Sequence, residues 1–405
     1  MNPIQGKRIL LGVTGSVAVY KAVDLASKLT QAGAEVDVLL TEAATRFVAP
    51  ISFQSVTGRA AYTDSDLWGA EAHVLHVNLG RPADLLLVAP ITANTIAKFA
   101  LGLADNLLTL TALSARCPLM IAPAMDGGMF ASTANQENLR TLVERGAVVV
   151  GPEEGHLASG LSAKGRMTEP AEILDRVRHL LSRAGPLRGR KVVVTAGGTQ
   201  EPIDPVRVIT NRSSGKQGFA LALAALDAGA DTVLIAGPAA LAAPYGVRRV
   251  DVRTAQEMRA AVLAESAGAD ALIMAAAVAD FRPADPAARK IKKDSAPEVI
   301  LLEQTADILM EVSEAKAVTG RPAVTIGFSA ETDDLEKNAQ KKLRAKHLDL
   351  IVANEVGRPD SGFETDTNRV TILSADGAVQ SLPLMDKNGV AEAVLDRLIA
   401  MLAKG

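Results

Sequence analysis

Residues 191–218 read KVVVTAGGTQEPIDPVRVITNRSSGKQG, and this stretch carries the strongest structural signal in the second half of the chain. It begins with an apolar run that ends in a Gly pair, continues through a loop with cationic and amide side chains, and ends at Ser-Ser-Gly, which can start a helix. A strand, a Gly-rich loop and a helix N-terminus together make an anion site, because free backbone N–H groups point outward there. The stretch therefore predicts a strand–loop–helix unit that binds a phosphate or a carboxylate.

The chain opens in the same way at its N-terminus. Residues 7–14 read KRILLGVT, an apolar run before Gly15 and Ser16, and a helical pattern and a second apolar run follow in both halves. Later runs, such as DLLLVAP in the first half and DALIMAAA in the second, lack polar alternation, which indicates strands buried on both faces of parallel sheets. We predict an α/β protein with two doubly wound, Rossmann-like domains whose sheets are mostly parallel.

Two irregular segments interrupt this pattern. Residues 180–189 contain Gly and Pro and come just before the second opening, which gives predicted domains at 1–183 and 190–405. Residues 282–297 are rich in Pro and in cations. This second segment predicts either a solvated loop or a mobile lid that carries lysines to a phosphate.

The composition fits an enzyme and argues against two classes of partner. The chain has 405 residues and a net charge of −3, so it lacks the basic excess that attracts nucleic acid or membrane surfaces. The apolar stretch 85–115 is interrupted by Pro90, Lys98 and Asp105, which favours buried strands and helices over a membrane span. The single cysteine, Cys117, excludes an internal disulfide and predicts a cytoplasmic protein.

Polar residues follow several predicted strands of the first half. Gly15 and Ser16 lie at the first strand-to-helix turn, APITANTIAK (89–98) follows another strand, and GLADNLLT (102–109) comes next. The carboxyl ends of parallel strands meet at one edge of a sheet, where ligands bind. Each loop alone is better explained by helix capping, but together they predict a site for a phosphate and a flat heterocycle.

With these motifs in order, the two halves resemble the two parts of one enzyme family. Residues 191–218 resemble the ligase half of the bifunctional phosphopantothenoylcysteine decarboxylase/phosphopantothenate–cysteine ligases of coenzyme A biosynthesis, and residues 7–170 resemble flavin-dependent cysteine decarboxylases. The resemblance implies an enzyme that joins 4′-phosphopantothenate to cysteine with CTP and Mg²⁺ through an acyl-cytidylate, and then uses FMN to decarboxylate the product to 4′-phosphopantetheine. It also implies a homo-oligomer with a trimeric flavin half and a dimeric ligase half, up to a dodecamer. It does not identify metal ligands.

In the first half the resemblance implies an FMN site and a substrate site. It identifies His76, in HVNLGRPAD, as an acid/base residue, and it places Arg81 and Met129 near the substrate. The implied FMN contacts are Gly15, Ser16, Thr41, Pro90, Thr92, Ala93, Asn94, Asn106 and Thr109.

Two positions of the first half depart from the family pattern. The family motif PAMN has an asparagine where this chain has Asp126, whose carboxylate would repel a substrate carboxylate unless it is protonated or faces another partner. The family often has a proton-donating cysteine where this chain has Ser159, within HLASGLSAKGRM, and a hydroxyl is a far weaker acid. The departures leave an alternative open, in which the first half binds flavin for assembly and is a weak or inactive decarboxylase.

In the second half the resemblance implies nucleotide and acyl-phosphate binding. It identifies Asn211 and Lys290 as catalytic residues, and it gives Phe328 a ring that could stack on the base. The implied substrate-binding set is Arg207, Ala275, Ala276, Asp280, Ala306, Asp307, Ile308, Phe328, Lys342 and Lys346. Singly, most of these are better explained as core, capping or solvated residues, whereas their joint order favours a site. A nicotinamide oxidoreductase is a further alternative, although neither half has the full G-x-G-x-x-G pattern with its downstream acid.

Overall fold

The computed structural model describes residues 1–68, 74–292, 299–331, 334–355 and 365–403. The chain divides into two compact units, Asn2–Leu181 and Ser182–Gly405, and the second unit also includes Met1. Each unit has its own parallel or mostly parallel sheet and its own buried core, as the sequence predicted. No helix of the described residues is long and apolar enough to cross a membrane.

The first unit alternates strands and helices. Its strands are β1 (Arg8–Val13), β2 (Glu35–Leu40), β3 (Ala61–Tyr62), β4 (Leu85–Ile91), β5 (Leu119–Pro123), β6 (Val148–Val149), β7 (Glu153–His156) and β8 (Ser162–Arg166). Its helices are α1 (Val19–Gln31), α2 (Glu42–Thr45), α3 (Pro50–Thr57), α4 (Leu75–Gly80), α5 (Ala93–Leu101), α6 (Leu107–Ser114), α7 (Gly127–Ala131), α8 (Thr133–Glu144) and α9 (Pro170–Ser182).

The strand order of the first unit creates a crevice beside β1. Within the described residues, the sheet has the order β3-β2-β1-β4-β5-β6, and its pairings are parallel. Consecutive residues of β1, Leu10 and Leu11, are both buried although they face opposite sides, so helices cover the two faces. The order reverses between β1 and β4, and open α/β sheets bind ligands at the carboxyl side of such a reversal. β7 and β8 form a separate antiparallel hairpin, the flap.

The second unit repeats this architecture with additions. Its strands are β9 (Lys191–Ala196), β10 (Gln200–Pro202), β11 (Val208–Thr210), β12 (Asp231–Ala236), β13 (Arg248–Asp251), β14 (Ala271–Met274), β15 (Phe281–Pro283), β16 (Leu302–Gln304), β17 (Val324–Glu331), β18 (Leu350–Glu355), β19 (Thr367–Asn368), β20 (Val370–Ser374), β21 (Val379–Ser381) and β22 (Met385–Asp386). Its helices are α10 (Lys216–Asp227), α11 (Ala255–Ser266), α12 (Ile308–Thr319), α13 (Leu335–Ala345) and α14 (Lys387–Leu402).

The large sheet of the second unit reverses its order at β9. Within the described residues it runs β13-β12-β9-β14-β17-β18-β20-β21, parallel as far as β18 and antiparallel at the β20–β21 edge. The reversal lies between β9 and β14, so a second crevice is expected beyond their carboxyl ends.

Two loops of the second unit are more ordered than the sequence suggested. The loop between β9 and α10 contains the antiparallel hairpin β10–β11, which we call the arm. Strands of three residues are too short to give a period-2 pattern, which is why the sequence did not reveal them. In the predicted irregular segment 282–297, β15 pairs with β16, while residues 293–298 lie outside the described residues. We call residues 284–292 the Lys290 segment.

Candidate functional sites

Hydrogen bonds join the loops that follow β1 and β4. The Thr14 hydroxyl donates to the Pro90 carbonyl oxygen at 2.9 Å and accepts from the Thr92 backbone N–H at 2.9 Å. Gly15 and Ser16 therefore lie beside the junction of β4 and α5, which contains Pro90, Thr92, Ala93 and Asn94. Thr92 is the N-cap residue of α5, yet its side chain makes no capping bond, so α5 begins at the crevice with first-turn amides that its cap does not satisfy.

The loop after β2 approaches the same place closely. A Cβ atom on Gly15 would lie 2.5 Å from the Cβ atom of Ala43, so only glycine fits there. Thr41 lies at the start of this loop, where its backbone N–H donates to Val13 at 3.1 Å and its hydroxyl caps α2 through Ala44. Three segments thus pack closely at one edge of the sheet.

Asn106 and Thr109 serve first as a helix cap. The Asn106 side chain accepts from the Thr109 backbone N–H at 2.9 Å, and the Thr109 hydroxyl accepts from the Asn106 backbone N–H at 3.1 Å. This reciprocal cap starts α6, whose Leu108 would meet a Cβ atom on Gly12 at 2.7 Å. α6 thus packs tightly on β1. The contacts of the Asn106 and Thr109 side chains are those of a helix cap, which was the alternative to ligand binding.

His76 is a half-buried residue on α4. Within the described residues, its Nδ1 atom is buried and has no hydrogen-bond partner. Its backbone carbonyl oxygen accepts from the Ser114 hydroxyl at 2.8 Å, which fixes α4 to the end of α6. Arg81 follows α4 and is exposed. A buried imidazole nitrogen without a partner is costly in a purely structural histidine and is consistent with a role toward a ligand.

The two residues that depart from the family pattern contact each other. The Ser159 hydroxyl donates to Asp126 Oδ2 at 2.7 Å, and the Gly128 backbone N–H donates to Asp126 Oδ1 at 2.9 Å. These hydrogen bonds lower the pKa of the Asp126 carboxyl, and the bond from Ser159 has the largest effect. Asp126 is therefore ionised at neutral pH and faces another partner, and the hydroxyl proton of Ser159 points to Asp126. The exposed Met129 follows on the same short helix, α7.

The flap lies against α7 through several contacts. The Lys164 ammonium is 5.6 Å from the centre of the Phe130 ring, and the Met125 backbone N–H donates to the Gly165 carbonyl oxygen at 3.0 Å. A Cβ atom on Gly127 would lie 2.6 Å from that of Ala163. The flap is therefore closed over the loop that holds Asp126.

A cavity of about 740 Å³ opens at the β9/β14 reversal of the second unit. It is large enough for a nucleotide, and its lining comes from strand ends, helix starts and α13. The predicted residues that line it are Asn211, Ala275, Ala276, Asp280, Ala306, Asp307, Ile308, Phe328, Lys342 and Lys346.

Short hydrogen bonds hold the loops of this cavity together. The Asn211 side-chain amide donates to the Val278 carbonyl oxygen at 3.0 Å, and the Thr195 hydroxyl at the end of β9 accepts from the Ala276 backbone N–H at 3.0 Å. On the opposite wall, Asp307 caps α12 through the Met310 N–H at 3.3 Å and pairs with the Lys346 ammonium at 3.1 Å. The cavity thus presents cations together with an acid.

One end of the cavity contains polar residues that the sequence did not place there. The start of α10 meets the start of α14, and Asn368 donates to Gln217 at 2.9 Å, while Gln217 donates to the Lys387 carbonyl oxygen at 3.1 Å. Lys387 is buried, and burial is the main cause that lowers the pKa of its ammonium. The positive charge of Lys216 lowers this pKa further, whereas the negative charge of Asp366 partly offsets the shift. The sequence signal was the Ser-Ser-Gly-Lys at the start of α10, whereas nothing in the sequence indicated that α14 begins beside it.

Two predicted residues of the second unit do not line this cavity. The Arg207 guanidinium donates to Asp204 at 2.8 Å and to the Ile291 carbonyl oxygen at 3.2 Å, while Lys290 is exposed on the neighbouring segment. Within the described residues, no group of three or more His, Cys, Asp or Glu side chains could hold a metal ion.

Comparison with known proteins matches both units. Residues 2–182 match the family Flavoprotein, and residues 187–402 match the family DNA/pantothenate metabolism flavoprotein C-terminal domain. The coenzyme A biosynthesis bifunctional protein CoaBC of Bacillus subtilis is 44% identical over 401 residues, 98% of each chain. That of Vibrio cholerae is 44% identical over 398 residues, again 98% of each chain. A crystal structure of the C-terminal domain of such a protein is 40% identical, covers 55% of this chain and all of its own, and has a TM-score of 0.47.

These matches decide between the alternatives that the sequence left open. The flavoprotein match argues against a nicotinamide oxidoreductase, and a match over both halves does not favour a flavin module that serves assembly alone. Because relatives of this similarity span nearly the whole chain, the chain belongs to the family of coenzyme A biosynthesis bifunctional proteins, enzymes that combine a phosphopantothenate–cysteine ligase with a phosphopantothenoylcysteine decarboxylase.

Proposed function

We propose that residues 190–405 form the ligase domain, which uses CTP in the cavity at the β9/β14 reversal, and that residues 1–183 form the decarboxylase domain, which uses FMN in the crevice beside β1. The observation that supports this most directly is the cavity of about 740 Å³, because residues from five separate segments predicted to bind nucleotide and acyl phosphate line it together. The single cysteine supports a cytoplasmic location for this chemistry.

The ligase reaction has two steps. The carboxylate of 4′-phosphopantothenate attacks the α-phosphorus of CTP and releases pyrophosphate, and the amine of cysteine then attacks the acyl carbon and releases CMP. Lys342 on α13 and Lys346, which follows the end of that helix, supply positive charge to the triphosphate. The ring of Phe328 offers a face to the base. Asn211, whose side chain is fixed by the Val278 carbonyl, contacts the acyl phosphate.

We propose that Mg²⁺ enters with the triphosphate. Mg²⁺ keeps several waters and is usually held by one or two carboxylates plus substrate phosphates, which agrees with the lack of an acidic cluster among the described residues. Asp280 and Asp307 both line the cavity, and because Asp307 already pairs with the Lys346 ammonium, we propose that Asp280 contributes a carboxylate to the Mg²⁺.

The crevice of the first unit fits FMN. Its lining of backbone groups at Gly15 and the unsatisfied start of α5 at Thr92 suit a phosphate, which helix N-termini bind. The turn at Gly15 and the start of α5 would hold FMN, which would supply a two-electron acceptor for the substrate thiol, so that carbon dioxide can leave, and would return the two electrons to the product. His76, with its free Nδ1 atom, exchanges the substrate proton.

Exposed apolar side chains support the proposed homo-oligomer. In the second unit the side chains of Val206, Phe281 and Leu301 are exposed near the arm and the β15–β16 hairpin, as expected for a dimer surface. In the first unit Tyr20 and Leu101 are similarly exposed, as expected for trimer contacts.

Two measurements test the proposed function. The purified protein should show a flavin absorption spectrum, and with 4′-phosphopantothenate, cysteine, CTP and Mg²⁺ it should release pyrophosphate, CMP, carbon dioxide and 4′-phosphopantetheine in equal amounts. Accumulation of 4′-phosphopantothenoylcysteine without carbon dioxide would contradict the decarboxylase assignment. Pyrophosphate release with ATP, and none with CTP, would contradict the nucleotide assignment.

A further inference from the structure

A buried acid, Asp204, connects the arm to the Lys290 segment. Asp204 lies in the turn of the arm and is 2% exposed. Its Oδ1 atom accepts from the backbone N–H groups of Val206 and Arg207, each at 2.8 Å. Its Oδ2 atom accepts from the Arg207 guanidinium at 2.8 Å and from the Ile291 backbone N–H at 3.2 Å. One oxygen thus holds the turn, while the other reaches a residue 87 positions away in sequence.

The carboxylate is well matched to this position. Burial favours the protonated form of Asp204, but the hydrogen bonds from three backbone amides and the charge of Arg207 outweigh it and lower the pKa of the carboxyl. An ionised carboxylate accepts bonds with both oxygens, whereas an amide side chain would present a donor to one of the two pairs. A buried charge is tolerated only when its oxygens are satisfied in this way.

Two more bonds join the same pair of segments. The Arg207 guanidinium donates to the Ile291 carbonyl oxygen at 3.2 Å, so Ile291 is held at its N–H and at its C=O. The Ala287 backbone N–H donates to the Ile203 carbonyl oxygen at 2.9 Å. The segment is therefore attached to the arm on both sides of Lys290, at residues 287 and 291.

The arm also carries Asn211. β11 ends at Thr210, and Asn211 follows directly and lines the cavity. We propose that Asp204 is a positioning residue of the ligase, which fixes the backbone next to Lys290 relative to Asn211 so that both side chains serve one reaction. This inference rests on the proposed function and on the resemblance, which implies that Lys290 is a catalytic residue of the ligase; we assign it to the step that forms the acyl-cytidylate. Errors of about 1 Å in such placement cost roughly a hundredfold in rate.

Asp204→Asn is the sharpest test, because the amide oxygen can still accept the two turn amides while its NH₂ group faces the two donors at Oδ2. Asp376→Asn is the matched control: Asp376 also accepts a local amide, that of Ala378 at 3.1 Å, and is exposed. Both variants are made in the full chain, together with Lys290→Gln and the double variant Asp204→Asn/Lys290→Gln. Pyrophosphate release in the absence of cysteine measures the first step, and carbon dioxide release from 4′-phosphopantothenoylcysteine measures the other unit.

We expect Asp204→Asn to slow pyrophosphate release about tenfold or more, with faster amide hydrogen exchange in the peptide that contains Ile291, and with unchanged decarboxylation. In the Lys290→Gln background the same substitution should have little further effect, because the residue whose place it sets is gone. Asp376→Asn should behave as wild type. Wild-type pyrophosphate release in Lys290→Gln would refute the proposed role of Lys290 itself. If Lys290→Gln is slow while Asp204→Asn keeps the wild-type rate, or if the two effects multiply, the positioning role is overturned.

Discussion

The flap of the first unit and the Lys290 segment of the second both lie beside a proposed site, but their polar side-chain links differ. The turn of the flap is linked through the hydrogen bond from Ser159 to Asp126, and this bond is exposed. The Lys290 segment is tied by Asp204, a buried carboxylate that accepts four bonds. Exposed polar links contribute little because water replaces them, whereas a buried donor left without its acceptor is expensive. We therefore expect the flap to open readily and the Lys290 segment to stay in place.

The largest effect should come from the reacting side chain of the flap's own unit. His76→Asn removes the group proposed to exchange the substrate proton, so carbon dioxide release should become undetectable while pyrophosphate release from CTP continues at the wild-type rate. Retained flavin absorption would show that the variant is folded. Carbon dioxide release within tenfold of wild type would remove His76 from the mechanism.

The next effect concerns stability and contrasts the two fastenings directly. Asp204→Ala leaves three backbone amides without their acceptor and removes one of the two acceptors of the Arg207 guanidinium. We therefore expect the unfolding midpoint of the ligase unit to fall by about 5 °C or more. Asp126→Ala removes an exposed link and should lower the midpoint of the flavin unit by about 2 °C or less. Calorimetry of the full chain measures the unfolding midpoints of both units. Equal shifts in the two variants would contradict the expected difference between the buried Asp204 link and the exposed Asp126 link.

Acid should weaken the ligase unit in a defined range. Hydrogen bonds from Arg248 and Lys191 lower the pKa of Glu265 to about 2, well below its unfolded value of about 4.5. A depressed folded pKa stabilises the native state above the unfolded pKa, and this contribution is lost as the pH falls from about 4.5 towards 2. After allowance for solvent screening it amounts to about 1–2 kcal/mol. Denaturant unfolding measured from pH 6 to pH 2.5 should show this decrease in the free energy of unfolding. In Glu265→Gln the decrease should be smaller by the contribution of Glu265.

The smallest effect is expected at Ser159. Its proton points to an ionised Asp126, so Ser159→Ala should change the rate of carbon dioxide release less than about threefold and should mainly speed proteolysis of the flap. The released product should keep the mass of the fully reduced thiol. Release of a species lighter by two hydrogens from Ser159→Ala, and not from wild type, would instead assign Ser159 a part in protonation.

Sequence reasoning was strongest where the pattern is local. The apolar runs that became β1 and β9 lack polar alternation and are followed by glycine, so the parallel sheets followed directly. It failed for the arm, whose three-residue strands are stabilised by each other and by the rest of the unit.

The polar contacts between distant segments were also beyond the sequence. Ser159 and Asp126 are 33 residues apart, and Asp204 and Ile291 are 87 apart, so no spacing rule connects either pair. Lys387 was missed for a similar reason, since a lysine at the start of a C-terminal helix is ordinarily solvated and only the fold brings it into the cavity.

The pairing of Lys346 with Asp307 has a consequence for how a nucleotide enters. In the free protein the acid compensates the charge of this lysine, and the same carboxylate also caps α12. A triphosphate that binds Lys346 must break the ion pair between Lys346 and Asp307. Of its two contacts with Lys346 and Met310, Asp307 then keeps only the hydrogen bond from the Met310 amide. Nucleotide binding at Lys346 is thus an exchange of counterions, so the affinity for the nucleotide reflects the difference between the Lys346–triphosphate pair and the Lys346–Asp307 pair. The exchange should be visible as a change in amide hydrogen-exchange protection in the first turn of α12.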